Sequence, residues 1–281
     1  MKIPINGEYV IFNVNTNKIP VRKNSSMNIS LSRFLKKARN KLLGAQLREF
    51  KPYHDLFDGR KGLEIGGPSK IFTAKDYLPV YNRADRIDGV NFSANTVWEG
   101  TISEGSNYHY TNGKTGYQFI CEGNDLQQIR DNEYDFILSS HNLEHFANPL
   151  KAVAEWKRVL KPGGTMLLVL PDRRYTFDQH RPVTAFSHLL QDYKMDMEET
   201  DMSHLEDILR LHDFSRDPLS GGAAKFHERA LNNYENRCLH QHVFDEQLLE
   251  EIFSYFEIST VFKTFAKPFH IIIMGRKAAQ I

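Results

Sequence analysis

The chain has 281 residues, of which 41% are hydrophobic and 25% charged, and its 36 basic and 35 acidic residues give a net charge of +1 at pH 7. A chain of this size and composition buries roughly three-quarters of its unfolded surface in one or two domains, which excludes a disordered or fibrous protein. Its longest apolar runs, Met166–Leu170 and Ile271–Met274, are far shorter than the roughly 20 residues that cross a bilayer. The balanced charge gives no support to nucleic-acid binding, so we expect no nucleic-acid partner.

The first residues and the cysteines bear on the compartment and on metal binding. Met1–Val10 is broken by Pro4 and Gly7 and lacks the continuous apolar segment of a secretory signal, so we expect a cytoplasmic protein. The two cysteines, Cys121 and Cys238, are far apart and have no metal-type spacing. We therefore expect neither a disulfide framework nor a bound metal.

A basic amphipathic helix is predicted near the N-terminus. Between Arg22 and Lys51 lie nine Lys or Arg residues and one Glu. Five apolar residues recur there at helical spacing, namely Leu31, Phe34, Leu35, Ala38 and Leu42. Residues 30–48 could dock on the inner face of a membrane or on an acidic partner, or pack on the chain's own domain. We place residues 1–57 in an N-terminal extension and residues 58–281 in the main domain.

From Asp58 onward, short apolar runs alternate with helical ones, which is typical of a parallel sheet with crossover helices. Strands are predicted at Lys61–Ile65, Ala84–Asp88, Tyr117–Cys121, Tyr134–Ser139 and Gly164–Leu170. A helix at Pro149–Leu160 is expected to stop before Pro162 and Gly163, which forbid its continuation.

Residues 173–241 interrupt this rhythm, because they are polar and hold, together with His242, seven of the twelve histidines. We expect a helical insertion that caps the sheet, with helices at Val183–Tyr193 and Glu198–Leu211. The sheet pattern then resumes with a helix and two strands linked through Pro268, at Asp245–Phe256, Ile258–Phe265 and Phe269–Arg276. Such a link predicts an antiparallel final pair.

Glycines or polar residues follow three successive predicted strands, where open α/β sheets bind their ligands. The stretch Gly62–Ser69, GLEIGGPS, combines an acid with glycines that let a ligand approach the backbone. Asp88 ends the next strand, where an acid can accept the hydroxyls of a ribose. Asn124, Asp125 and Leu126 follow the third strand, where a carboxylate or amide can meet an adenine amino group. Each position alone is equally typical of a turn, but the three together favour a nucleotide-type ligand.

Two further motifs carry a family resemblance. Tyr134–His145 has the sequence YDFILSSHNLEH, and the predicted helix ends in Arg158–Gly164, RVLKPGG. Through these motifs the chain resembles the class I S-adenosylmethionine (SAM)-dependent methyltransferases, closely over Asp58–Leu170, and among them the type 11 small-molecule group. The resemblance implies an α/β fold with a doubly wound, seven-stranded, mostly parallel Rossmann-like sheet, an antiparallel last strand and a helical cap.

Other segments are similar to methyltransferases commonly associated with bacterial surface-polysaccharide synthesis. They are Glu64–Ser69, Asn91–Ser93, Val97–Gly100 and Pro171–Asp178. This similarity implies methylation of a hydroxyl on a sugar, nucleotide-linked sugar or glycan intermediate. Transfer to a phosphate or carboxylate of a small molecule, and a non-catalytic methyltransferase-like binding domain, remain the alternatives.

The resemblance also implies a SAM site, residue by residue. It places Glu64, Gly66, Gly67 and Ser69 around the methionine part, Asp88 at the ribose, Asp125 and Leu126 at the adenine, and Ser139 and Ser140 on the floor. The chain departs from the family where Pro68 and Ser69 replace the usual third glycine of the loop. Proline has no N–H and a fixed φ, so the turn must differ locally.

Acceptor binding is predicted in the segment that follows the fifth strand. The candidates are Arg173, Arg174, Tyr175, Asp178, His180 and Arg181. Three arginines can bind a phosphate or carboxylate by paired hydrogen bonds, although Asp172 and Asp178 could instead pair with them in a salt-bridged loop.

Transfer to a hydroxyl needs a base, and a histidine suits that task near neutral pH. His145 is the first candidate and His141 the second, with Asp172 as the group that orients the base; the alternative for His145 is capping or packing. The other histidines, among them His188 and His204, are expected to be surface or core residues.

Two other enzyme classes share parts of this pattern. His141–His145 forms an H-x-x-E-H string, which in a helix would place two zinc ligands on one face, as in inverted zinc peptidases. That class leaves the upstream glycines and acids unexplained. The acid after the second strand also fits NAD enzymes, but the glycine loop lacks their G-x-G-x-x-G spacing. We therefore favour the methyltransferase.

Overall fold

The computed structural model describes residues 2–5, 8–11 and 45–279. Near the N-terminus, β1 (Lys2–Ile5) and β2 (Glu8–Ile11) form an antiparallel hairpin. Residues 30–44 of the predicted basic helix lie outside the described residues, so its docking role stays a prediction. Within the described ranges, no helix has both the length and the apolar character needed to cross a membrane.

Residues 45–279 belong to one compact unit. Its described strands are β3 (Lys61–Ile65), β4 (Arg86–Asn91), β5 (Asn95–Thr96), β6 (Gly100–Thr101), β7 (Gly105–Thr111), β8 (Lys114–Ile120), β9 (Tyr134–Ser140), β10 (Leu160–Pro171), β11 (Ile258–Ala266) and β12 (His270–Lys277). Eight of them form a sheet in the order β11-β12-β10-β9-β3-β4-β8-β7, while β5 and β6 pair separately. The central strands β10, β9, β3, β4 and β8 are parallel. Their carboxyl ends therefore meet at one edge of the sheet.

The mostly parallel sheet and its antiparallel final pair confirm the prediction. β12 runs antiparallel to both β10 and β11. The sheet has one strand more than the seven predicted, because β7 pairs antiparallel with β8 at the edge. Its sequence, GSNYHYT, is mostly polar, and three of its seven residues are exposed. An edge strand exposed in this way needs no continuous apolar run, so the search for apolar runs missed it.

The described helices are α1 (Pro149–Val159), α2 (Phe186–Lys194), α3 (Leu205–Leu211), α4 (Ala223–Leu231), α5 (Asn233–Asn236) and α6 (Glu246–Tyr255). α1 begins where the Asn148 side chain accepts a hydrogen bond from the Lys151 N–H at 3.0 Å. It ends at Val159, as the following proline and glycines predict. α2 to α5 lie in the predicted insertion and form the cap.

Both faces of the sheet are covered. α1, α2 and α6 pack on one face, around the fully buried Trp156. Two 3₁₀ turns, Arg48–Leu56 and Lys70–Phe72, cover the other face and bury Phe50 and Phe72. Each fully buried aromatic side chain of this kind stabilises the fold by about 1.5–3 kcal/mol. The two layers hold the sheet and thereby fix the positions of the strand ends.

Candidate active site

A cavity of about 430 Å³ opens at the carboxyl ends of the parallel strands. This volume suits a small-molecule ligand. Its strand side is formed by Ile65, Gly66, Pro68, Asn91, Phe92, Glu122, Gly123 and Ser140. Its cap side is formed by Phe177, Asp178, Arg181, His212, Asp217, Phe226, Arg229, Arg237 and His240. One cavity thus reaches from the strand ends to the cap.

The loop after β3 requires glycine at two positions. Gly66 has a φ of +78°, and a Cβ there would lie 2.4 Å from Asn142 Nδ2. A Cβ on Gly67 would lie 2.3 Å from the carboxyl carbon of Glu64. Gly66 and Pro68 line the cavity, and the contact of Gly66 with SAM stays a prediction. Bare backbone therefore faces the ligand space at the end of β3.

Glu64 lies beneath this loop and is fully buried. The Ser69 N–H donates to its Oε1 at 3.0 Å, and the hydroxyls of Tyr81 and Tyr108 both donate to its Oε2 at 2.7 Å. Burial raises the pKa of Glu64 above its ordinary value, although these hydrogen bonds partly oppose it. Glu64 and Ser69 thus stabilise the loop through the hydrogen bond between them. The resemblance places both around the methionine part of SAM, but neither is among the residues that line the cavity.

Asp88 does not end its strand, and its predicted place at the ribose is wrong. It lies opposite Leu63 in the middle of the sheet. Its carboxylate accepts hydrogen bonds from Arg86 Nε at 2.6 Å, the Tyr117 N–H at 2.7 Å and Tyr134 Oη at 2.9 Å. β4 continues for three more residues, to Asn91. Asn91 therefore takes the strand-end position, and it lines the cavity.

After β8, too, the residues that line the cavity differ from the predicted ones by a few positions in the chain. Asp125 is exposed, and Leu126 is buried with its N–H donating to Glu155 Oε2 at 3.0 Å. The residues that line the cavity are Glu122 and Gly123. Asp125 and Leu126, which were predicted at the adenine, are thus not among the residues that line the cavity.

Ser140 lines the cavity at the end of β9, whereas Ser139 is buried within the sheet. The chain then turns at His141, which has a φ of +51°. Leu143–His145 is a single 3₁₀ turn. The two histidines of the H-x-x-E-H string therefore do not share a helix face, and the geometry of a zinc peptidase is missing from this described segment.

Three imidazoles among the described residues surround Glu144, which is 1% exposed. Glu144 Oε1 lies 3.7 Å from His141 Nδ1, 3.9 Å from His145 Nε2 and 3.9 Å from His240 Nε2. Burial alone raises the pKa of Glu144, but the imidazoles bring it below its ordinary value. The carboxylate thus supplies negative charge behind a set of proton-accepting rings.

His145, the base predicted from the sequence, lines the cavity. Its Nδ1 lies 2.9 Å from the Leu239 carbonyl oxygen. Because a carbonyl only accepts, Nδ1 carries the proton and Nε2 keeps its lone pair. Burial lowers the pKa of His145 to about 4. His145 is therefore neutral at pH 7 and a weak base.

His240 and Asp178 form a buried pair in the cap wall of the cavity. His240 Nδ1 donates to Asp178 Oδ2 at 2.5 Å, and Arg181 Nη1 donates to Asp178 Oδ1 at 2.9 Å. Burial alone lowers the pKa of His240, but the Asp178 carboxylate raises it above its ordinary value. The imidazole packs edge-on against His145, with ring centroids 4.8 Å apart. Asp178 therefore orients His240 with Nε2 free for a proton.

The predicted acceptor-binding cluster is divided between two places. Asp178 and Arg181 line the cavity. Arg174 Nη2 instead binds Asp172 Oδ2 at 2.6 Å, and both of them lie with Arg173 in a separate depression. Tyr175 and His180 are exposed. The Asp172 carboxylate is thus paired with Arg174 and makes no described hydrogen bond to His145, whereas Asp178 pairs with His240.

Arg237 connects the cap to the strand side. Its guanidinium pairs with Glu122 at 2.5 Å and with Glu199 at 2.8 Å, and it stacks over Phe92 at 5.1 Å. Burial raises the pKa of Glu199 to about 7. Sequence reasoning missed Arg237 and His240, because both lie in the insertion and 62 residues separate His240 from Asp178. The concentration of histidines there was the available signal.

Comparison with known families agrees with this arrangement. Residues 77–168 match the family described as "Methyltransferase domain". Residues 77–168 therefore belong to a methyltransferase domain. The match includes β4, β8 and β9, whose ends form the strand side of the cavity. SAM is therefore the cofactor that this domain implies.

Individual relatives of the methyltransferase domain are distant. An uncharacterized protein of Methanocaldococcus jannaschii is 44% identical over 54 residues, which cover 19% of this chain and 26% of that protein. The match thus spans about a quarter of the curated relative's length. A SAM-dependent methyltransferase of Methanosarcina mazei is similar at 15% identity and a TM-score of 0.44, covering 84% of this chain and 100% of that one. The 1,6-didemethyltoxoflavin-N1-methyltransferase of Burkholderia thailandensis, solved with S-adenosylhomocysteine, shows 12% identity and a TM-score of 0.44, with 93% of each chain covered.

Proposed function

We propose that this protein transfers the methyl group of SAM to a hydroxyl of a small acceptor, such as a sugar, a nucleotide-linked sugar or a glycan intermediate. The observation that carries the proposal is the Asp178–His240 pair, which lies in the same cavity as the bare backbone of Gly66. A cofactor-sized space and an oriented proton acceptor are thus combined in one site.

The strand side of the cavity suits SAM. Gly66 exposes backbone where a Cβ would collide with Asn142. Among the described residues, five carboxylates line the cavity, at Glu99, Glu122, Asp178, Glu199 and Asp217. Three arginines, Arg181, Arg229 and Arg237, line it as well. The carboxylates outnumber them by two, and this excess complements a sulfonium. When bound, SAM supplies a methyl group on a positively charged sulfur, a leaving group that needs little further activation.

The residues of the chain then have two tasks. Gly66, Asn91 and Glu122 hold the cofactor end, so that an acceptor in the cap side meets it at a fixed angle and distance. His240 Nε2 takes the proton of the acceptor hydroxyl as the new bond forms, while Asp178 stabilises the resulting imidazolium. His145 and His141 stay candidate bases, but the Asp178 carboxylate raises the pKa of His240, whereas burial lowers the pKa of His145.

A second candidate function has one observation in its favour. Arg229 lines the cavity, and its buried Nε has no hydrogen-bond partner among the described residues. Its guanidinium lies over the Phe226 ring at 5.4 Å. A phosphate or carboxylate of the acceptor would accept a hydrogen bond from this Nε. Arg229 thus supports either methyl transfer to such a group or a sugar acceptor that carries a phosphate.

The proposed location is the cytoplasm, where SAM and nucleotide-linked sugars are made. Docking of residues 30–48 at the inner face of the membrane, or on a partner, would bring the enzyme to lipid-linked glycan intermediates. A vesicle-flotation assay with and without these residues tests this part of the proposal.

The function itself is tested with isotope-labelled SAM and a panel of sugars, nucleotide-linked sugars, sugar phosphates and carboxylic acids. Mass spectrometry reads the transferred methyl group. We expect product with a hydroxyl acceptor. Product only with phosphates or carboxylates would favour the second candidate. Tight SAM binding in calorimetry with no product from any acceptor would favour a non-catalytic binding domain.

A further inference from the structure

A second histidine cluster lies at the cap, and its members are not among the residues that line the cavity. Its members are His188, Asp192, His204 and His242, and each offers one ligand atom within 4.8 Å of all the others. His188 and Asp192 are one turn apart on α2. His204 directly precedes α3, and His242 lies shortly before α6. Three separate segments of the chain thus bring nitrogen and oxygen donors to one point.

The spacing of these donors suits a tetrahedral ion. His188 Nε2 lies 3.2 Å from His204 Nε2 and 3.3 Å from Asp192 Oδ2. His242 Nε2 lies 3.7 Å from Asp192 Oδ2. Ligands about 2.0–2.1 Å from a central zinc are about 3.3 Å from one another in a tetrahedron. Small side-chain movements would therefore bring all four donor atoms to coordination distance from one zinc ion.

Two buried polar atoms of this cluster have no hydrogen-bond partner among the described residues. Asp192 is 3% exposed, and its Oδ2 accepts no hydrogen bond of good geometry from the described residues. Nδ1 of His242, which is 1% exposed, likewise lacks a partner within the described part of the chain. A buried carboxylate without compensation is costly. A divalent cation bound by this carboxylate would compensate it.

We propose that His188, Asp192, His204 and His242 form a structural zinc site. Three imidazoles and one carboxylate complete a closed tetrahedral set, which leaves no open position for catalysis. His188 is 38% exposed and provides the entry path. Binding would take His242 Nε2 from the Ala147 carbonyl oxygen, which is now 3.2 Å away. This assignment revises the expectation of no bound metal that the sequence analysis gave.

The site would connect the cap to the cavity. The His242 N–H donates to the Glu144 carbonyl oxygen at 3.2 Å, and His240 lies two residues earlier in the chain. Zinc would therefore hold the segment that carries His240 against the segment that carries His145. Zinc binding itself does not depend on the proposed function, because it can be measured without SAM or an acceptor.

The rival metal group in the described chain is Glu144, His145 and His240. It offers three donors, and Nδ1 of His145 and of His240 are already engaged by Leu239 and Asp178.

Substitutions in each of the two clusters distinguish the two candidate metal sites. His188→Ala removes a ligand from the cap cluster, whereas His188→Cys replaces it with another zinc ligand. His227→Ala on the exposed face of α4 is the matched control.

The test is the metal content of the full-length protein after incubation with zinc chloride and dialysis, together with the visible spectrum of the cobalt-loaded form. We expect one zinc per chain in the wild type, His188→Cys, His227→Ala and His145→Ala, and less than about a tenth of that in His188→Ala. The cobalt form should show the intense absorption of tetrahedral coordination. Zinc at a thousandfold excess over Kd should raise Tm by at least about 5 °C.

No stoichiometric zinc in the folded wild type, or unchanged zinc in folded His188→Ala, would overturn the proposal. So would a different metal held at the same stoichiometry. If His188→Ala does not fold, Asp192→Asn replaces it, and the cobalt spectrum and chelator-dependent Tm of the wild type decide the question. If the zinc-loaded wild type transfers no methyl group to any acceptor of the panel, that result would count against the proposed function but not against the zinc site.

Discussion

Asp178 Oδ2 lies 2.5 Å from His240 Nδ1, although the two residues are 62 positions apart in the chain. Both side chains are largely buried, at 5% and 11% exposure. The carboxylate fixes the tautomer and the orientation of the imidazole, so that Nε2 is the atom that can take a proton. Much of the proposed mechanism depends on this pair, and the first two predictions concern it.

The first prediction is a change in the pH profile of the reaction. Protonated His240 cannot accept a proton, so kcat/KM should fall as the pH falls through its pKa, which lies above the ordinary value. Asp178→Asn removes the charge that raises this pKa. The variant should lose roughly 10²–10⁴-fold in kcat, and its residual acid limb should move to lower pH. An unchanged acid limb would show that His240 is not the titrating group.

The second prediction concerns stability. His240 and Arg181 hold the pKa of Asp178 at about 2, despite burial, which opposes this shift. A depressed carboxyl pKa contributes stability above the unfolded value near 3.8, and this contribution is lost as the pH falls through about 2. The raised pKa of His240 contributes below its unfolded value near 6.5 and is lost as the pH rises through the folded value.

The Asp178–His240 pair therefore contributes most to the free energy of unfolding between about pH 4 and 6.5. Urea unfolding of the wild type and Asp178→Asn should differ by roughly 3–5 kcal/mol in this window, because one partner of a buried pair is lost. The difference should shrink towards pH 2. A difference that is constant with pH would mean that the variant acts by packing instead.

The third prediction tests the loop at the end of β3. Gly66→Ala should weaken SAM binding by at least about tenfold, a loss of 1.4 kcal/mol, because its φ is +78° and its Cβ would collide with Asn142. Gly59 also has a positive φ, +66°, but open space around its Cβ. Gly59→Ala is thus the control for backbone strain. Calorimetry with SAM should separate the two variants, and equal affinities would contradict the assigned loop.

The fourth prediction concerns the acceptor. Arg229→Gln removes the cavity guanidinium whose Nε is unpartnered within the described residues. For an acceptor with a phosphate or carboxylate, KM should rise roughly tenfold or more, as expected for loss of a charge-assisted contact of about 1.5–3 kcal/mol. The Kd for SAM should stay unchanged. An unchanged KM for a charged acceptor would remove Arg229 from the acceptor site.

Sequence patterns predicted the sheet well, because buried parallel strands need apolar runs and their order follows from the alternation with helices. Gly66, Ser140 and His145 were placed correctly at strand ends or just beyond them. Asp88 was misplaced because the next residues, Gly89 to Asn91, contain a glycine and a polar side chain that resemble a loop. In the structure they continue β4.

The cap could not be derived in the same way. Its contacts join residues far apart in the chain, such as Asp178 with His240 and His188 with His242, and helical periodicity does not determine which helices meet. Histidines that were expected to be surface or core residues are therefore found in two clusters. Only the packed structure shows which of them share a site.

The central claim is tested most directly by His240→Ala, assayed with the best acceptor from the panel. The account predicts that the variant binds SAM with the Kd of the wild type and loses at least about 10²-fold in kcat, whereas His227→Ala keeps full activity. Wild-type turnover in His240→Ala, or a wild-type protein that does not bind SAM, would contradict it.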